Sequence, residues 1–94
     1  MEIKKKEKRK EIEKMKIGDA VRKRIRDLCA ERGITVNRLA TISGITQSTL
    51  NNIVDGRNNS TTVATIQKIC NGLNLSIIEF FDHELFRHLE QEIE

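Results

Sequence analysis

Residues 33–56, GITVNRLATISGITQSTLNNIVDG, constrain the fold more than any other stretch of this chain. Gly33 supplies the left-handed residue that ends a preceding helix. Thr35 caps the next helix, which runs through Ser43 and carries Leu39, Ala40 and Ile42 as its apolar residues. Gly44 and Ile45 make a turn, Thr46 caps a further helix that ends near Asp55, and Gly56 closes it. In that helix Ile53 and Val54 lie three and four residues beyond Leu50, so the three share one face. The spacing predicts two short helices folded over one tight turn.

The rest of the chain continues in the same style. It has no proline and three Phe. No segment alternates apolar and polar residues over strand length, so the expected class is all-α. A first core helix is predicted over residues 19–32, capped by Asp19, with Val21, Ile25, Leu28 and Cys29 at helical spacing. Arg22, Lys23, Arg24 and Arg26 crowd its first half, where solvent and phosphate are both open to them. After a polar loop, 57–61, a fourth helix is predicted over 62–73. Val63, Ile66, Ile69, Cys70 and Leu73 fall at helical period along it, and Asn74 stops it in a left-handed conformation. Ser76 and Glu79 form a capping box for a fifth helix carrying Ile77, Ile78, Phe80 and Phe81. Beyond Asp82, Leu85, Leu89 and Ile93 fall at steps of four with Phe86 beside them. Such a stripe either meets a partner or folds back on the domain's own core.

Charge divides the chain into three parts. Residues 1–17 carry eight Lys/Arg against four Glu, residues 18–81 eight basic against five acidic, and residues 82–94 one against five. The expected organisation is a basic arm over 1–17, a helical domain over 18–81 and an acidic amphipathic tail over 82–94. The arm's apolar residues Ile3, Ile12 and Met15 keep no helical period, and tracking a nucleic-acid backbone is one use for its charge. No run is long and apolar enough for a membrane span or a signal peptide, so the expected address is cytoplasmic. Cys29 and Cys70 sit in apolar helical patterns and read as small buried hydrophobes kept reduced. His83 and His88 have no partner at ligand spacing, so neither a metal nor a cofactor is expected. With no phosphate loop and no nucleophile beside a base, no enzymatic activity is expected.

The helix after Thr46 divides by side. Leu50, Ile53 and Val54 face inward, whereas Gln47, Ser48, Asn51, Asn52 and Asp55 line an outer strip. This is the layout of a helix-turn-helix, whose second helix is held out toward base edges in a DNA groove. An amide can engage adenine N6 and N7 together, and a good bidentate pair contributes about 1–3 kcal/mol of discrimination. With no Lys or Arg on the strip to grip guanine, it leans toward A·T pairs.

The arrangement as a whole resembles the lambda-repressor-like, XRE/Cro-type helix-turn-helix family over residues 21–81. The matching residues include Ile25, Leu28, the run from Arg32 to Thr35, Leu39, Ala40, the run from Ser43 to Thr46, the run from Ser48 to Leu50, Ile53, Gly56, Ile66, Ile69, Leu73 to Ser76 and Glu79 to Phe81. The resemblance implies a five-helix domain acting as a dimer, its third helix in the major groove of a roughly two-fold operator. Carried over by position, base reading falls to Gln47, Ser48 and Asn52, with Thr49 and Asn51 adjacent. Backbone contacts fall to Thr35, Arg38, Thr46, Arg57, Asn58 and Asn59. Two departures stand out. Val36 occupies a place where many members have a Gln that braces phosphate. Val54 and Cys29 occupy the places of a Glu and an Arg that pair in many members, an exchange expected to be neutral or stabilising because two charges escape desolvation.

These readings lead to a sequence-specific DNA-binding transcriptional regulator, expected to repress. Its partners would be double-stranded DNA and a second copy of itself, the latter through Phe81, Leu85, Phe86, Leu89 and Ile93. The alternative is an antitoxin- or adaptor-like module that uses the same C-terminal stripe to hold another protein.

Overall fold

The structure is a computed structural model and describes residues 15–58 and 60–90. The helices there are α1 Ile17–Arg32, α2 Val36–Ser43, α3 Gln47–Val54, α4 Val63–Leu73 and α5 Ile77–Phe81, followed by a 3₁₀ turn, Glu84–Phe86. No strand interrupts them among the described residues, as expected for an all-α five-helix domain. No helix among the described residues is long and apolar enough to cross a membrane.

Three of the joints are built alike. Gly33, Gly44 and Asn74 adopt φ of 64°, 70° and 58°, and each donates its N–H to a carbonyl three residues back. The next residue, Ile34, Ile45 or Leu75, donates to a carbonyl five residues back and packs against the core. The residue after that caps the following helix: Thr35 Oγ1 accepts from Arg38 N, Thr46 Oγ1 from Thr49 N, and Ser76 Oγ from Glu79 N. Each joint thus satisfies two carbonyls of one helix end and an amide of the next start within three residues. The capping box of Ser76 and Glu79 closes on both sides.

α1 departs from expectation at its start. Asp19 is not its cap. The helix begins at Ile17 with Lys16 before it, and Asp19 lies in the first turn. There its carboxylate favours the positive helix end and takes a 2.5 Å ion pair from Arg22.

The core gathers Val21, Ile25, Leu28 and Cys29 of α1 with Leu39, Leu50, Ile53, Val54, Ile66, Ile69, Cys70, Leu73 and Phe80. Val63 was expected along this face but is 69% exposed. It opens α4 at the rim of the core, where it lines a shallow apolar groove with Ile17 and Phe81. Ile78 is 80% exposed on the outer side of α5. α2 and α4 meet at Gly72, where a Cβ would lie 2.5 Å from Ser43 Oγ and 3.1 Å from the Ile42 carbonyl oxygen.

Past α5 the chain folds back. His83 Nδ1 accepts from Leu85 N at 3.1 Å, and this turns Leu85 beneath α1, where it is 1% exposed. The Phe86 ring stacks edge-on at 4.8 Å from Phe81 and tilted at 6.1 Å from Phe80. Glu90 N then donates to the Met15 carbonyl, bringing the two ends of the described chain together. Leu85 is therefore withdrawn from the stripe expected to meet a partner, because its side chain completes the chain's own core. Phe81 and Phe86 are half-buried against that core, and Ile93 lies outside the described residues.

Two measurements check this packing. Gly72→Ala should lower stability by about 1–2 kcal/mol in urea denaturation, overpacking outweighing the gain in helix propensity. Adding Ser43→Ala should recover part of it, since Ser43 Oγ is buried without a hydrogen-bond partner and is the first atom struck. Burial, with Arg24 nearby, holds the His83 imidazole below its usual 6.5. The unfolded chain then takes up the proton first, so stability is full above 6.5 and falls as pH drops below it. His83→Asn keeps an acceptor without a titrating group, and its melting temperature should decline less between pH 7 and 5 than that of the parent.

Candidate nucleic-acid interface

α3 presents two unlike faces. Leu50, Ile53 and Val54 are buried, while Gln47, Ser48 and Thr49 are exposed and Asn51 and Asn52 half-exposed. The sequence-predicted reading residues thus share one accessible strip of amides and hydroxyls. Thr49 is already partly engaged: its hydroxyl lies 2.8 Å from Thr46 Oγ1, the oxygen that also caps the helix. Gln47, Ser48 and Asn51 have no such side-chain tie among the described residues.

The residues expected to touch the DNA backbone flank this strip. Thr35 and Arg38 lie at the start of α2, both exposed, with the Thr35 side chain held by the Arg38 amide. Thr46 sits at the entrance to α3. Beyond its exit, Arg57 N and Asn58 N both donate to the Asn52 carbonyl, at 2.9 and 3.1 Å, and Asn58 Oδ1 accepts from Ser60 N. Asn59 lies outside the described residues. Gly56, at φ 81°, turns the chain here as the left-handed residues do at the other joints. The position that elsewhere holds a core-packed apolar residue is Arg57, whose side chain is 73% exposed and lies 3.9 Å from Asp55. This difference leaves a guanidinium exposed just past the end of α3.

The interior behind α3 is apolar at the two places where the family's ion pair was missed. Cys29 and Val54 are both buried, and burial pushes the Cys29 thiol up against the opposing pull of Arg26. Val36 is half-buried against the core and offers no hydrogen bond outward. What sequence reasoning missed is the work of the α1 arginines. Arg24 is 8% exposed and donates to the Phe80 and Glu79 carbonyls at 2.8 and 3.0 Å, its guanidinium 5.9 Å from the Phe80 ring centre. Arg26 donates to the Val54 carbonyl, Arg32 to the Leu73 carbonyl, and Arg22 lies against Gly56. The acceptors of Arg24, Arg26 and Arg32 lie 28 to 56 residues away in sequence, whereas that of Arg22, Asp19, lies three away.

The family model for the Cro/C1-type HTH DNA-binding domain matches residues 24–85. Among solved structures the chain is similar to the crystal structure of the prophage Lp1 protein 11. The two share 34% identity with a TM-score of 0.70, and the match covers 78% of this chain and 96% of that one. No curated protein matches the sequence.

Because Thr46 closes the entrance to α3, Thr46→Ala should cost about 1 kcal/mol of stability, the usual loss of an N-cap oxygen, in a thermal or urea melt.

Proposed function

Because the chain belongs to the Cro/C1-type helix-turn-helix DNA-binding domain family over residues 24–85, we propose that it is a sequence-specific transcriptional regulator that represses by occupying an operator. The observation that carries this reading is the division of α3, with Leu50, Ile53 and Val54 buried and the strip from Gln47 to Asn52 accessible. In this reading Gln47, Ser48, Asn51 and Asn52 meet base edges, and Thr49 contributes through what its bond to Thr46 leaves free. Thr35, Arg38, Thr46, Arg57, Asn58 and Asn59 hold the phosphates, assisted by the basic arm 1–17. The first-turn amides of α2 add the positive helix end that suits an anion. Helix charge of this kind, together with Arg38, takes the place of the Gln that Val36 replaces.

The regulator acts in the cytoplasm as a homodimer on a roughly two-fold operator, two α3 helices about 34 Å apart along one groove face. The prophage origin of the similar solved structure supports a role in a mobile element. The burial of Leu85 takes the centre from the C-terminal stripe on which both the expected self-interface and the adaptor-like alternative drew, so the proposed self-association has to use other residues of that stripe or another surface.

Selection of bound duplexes from a random library, followed by gel-shift titration of the winners, tests the reading. A recurring two-fold site is expected, and binding without preference at low salt would refute it. On the selected site, Gln47→Ala and Asn52→Ala should each relax base preference and weaken binding by about 1–3 kcal/mol. Arg57→Ala should weaken all duplexes alike and reduce the salt slope by about one.

A further inference from the structure

The end of α3 is where its position is decided. Its last four carbonyls lack partners inside the helix and must find them elsewhere. Asn51 O accepts from Asp55 N, Asn52 O from Arg57 N and Asn58 N, and Ile53 O from Gly56 N. All of these come from the loop that α3 itself continues into, so they close the helix without saying where it stands. The fourth, Val54 O, accepts from another helix: Arg26 of α1 reaches it with Nη2 at 2.8 Å and Nε at 3.2 Å. Among the described residues these are the hydrogen bonds that tie α3 to a different helix. Asp55 lies 3.6 Å from the same guanidinium, a loose ion pair between half-exposed side chains.

Three buried apolar side chains on an eight-residue helix give it a face but little direction, because apolar packing is not directional. A guanidinium fork on one carbonyl is directional, and it sits at the negative end of the helix, which suits its charge. We propose that Arg26 is a positioning residue for base recognition, fixing the depth and rotation of α3's outer strip without touching the bases. It occupies the role for which an interior ion pair is absent here, since Cys29 and Val54 are apolar. The proposal rests on the reading of α3 as the helix that meets DNA.

The test compares the full chain with Arg26→Lys, Arg26→Gln and, as a control, Arg24→Lys, which weakens a similar guanidinium-to-carbonyl tie at α5. Each is titrated on the selected site and on a scrambled duplex across salt, at a temperature where circular dichroism shows it folded. Arg26→Lys keeps the charge but loses the fork. It should lower the ratio of specific to non-specific affinity about five- to tenfold, with non-specific affinity and salt slope unchanged. Arg26→Gln should lower that ratio further, and Arg24→Lys should leave it alone. Wild-type ratios in both Arg26 variants would overturn the proposal. So would an equal loss in Arg24→Lys, which marks general loosening, or in Arg26→Lys a parallel loss on both duplexes with a lower slope, which marks a phosphate contact. A parent chain with no preferred site would instead defeat the reading of α3 itself, before any variant is compared.

Discussion

Everything in this domain depends on how the negative ends of short helices are satisfied. A helix of five to eleven residues exposes a large share of its carbonyls, and their partial charge sums at the C-terminus. α1 answers this for three neighbours at once. Arg24 donates at the end of α5, Arg26 at the end of α3 and Arg32 at the end of α4. Burying a guanidinium such as Arg24 without a carboxylate would be expensive in an apolar interior. Two carbonyls and the face of Phe80 supply the negative potential instead. α1 therefore ties the ends of three other helices through directional bonds, alongside the apolar core that it shares with them.

The local part of this design was legible in the sequence, and the reason is physical. A left-handed residue, an apolar residue and a hydroxyl cap use only neighbours in the chain. The joints at Gly33, Gly44 and Asn74 could accordingly be placed to the residue, as could the capping box of Ser76. The two-sidedness of the candidate site was legible for the same reason: once the caps of α3 are set, helical spacing alone assigns Leu50, Ile53 and Val54 inward and the amides outward. The family match over residues 24–85 covers the same elements.

What was not legible is long-range. Nothing near Arg24, Arg26 or Arg32 in sequence announces an acceptor in α5, α3 or α4, so Arg24 and Arg26 read as open to solvent or phosphate. Asp19 had the chemistry of a cap, but Arg22 and the helix end recruit it one turn inside. Val63 kept the period of its helix, yet period says which side a residue faces and not whether the core extends that far. For Leu85 the step of four with Leu89 left a partner and the chain's own core both open, and the His83 bond to Leu85 N, in a 3₁₀ step, goes with the second.

The engagement of these arginines also bears on how the protein would hold phosphates. Of the eight basic residues in 18–81, Arg22, Lys23, Arg24, Arg26 and Arg32 are engaged within the domain. Among the described residues Arg38 and Lys68 enter no ion pair, and Arg57 shares Asp55 only loosely at 3.9 Å. With three of these cations on helix-end carbonyls and two more paired to carboxylates of α1, the domain has few left for a polyanion. On the proposed reading the balance is restored by the eight Lys/Arg of residues 1–17, of which Lys16 alone lies among the described residues. Counterion release scales with the number of phosphates neutralised. A steep salt dependence would then belong to the arm, and base preference to α3. The two properties are separable because the helix that frames the fold has already consumed the charge between them.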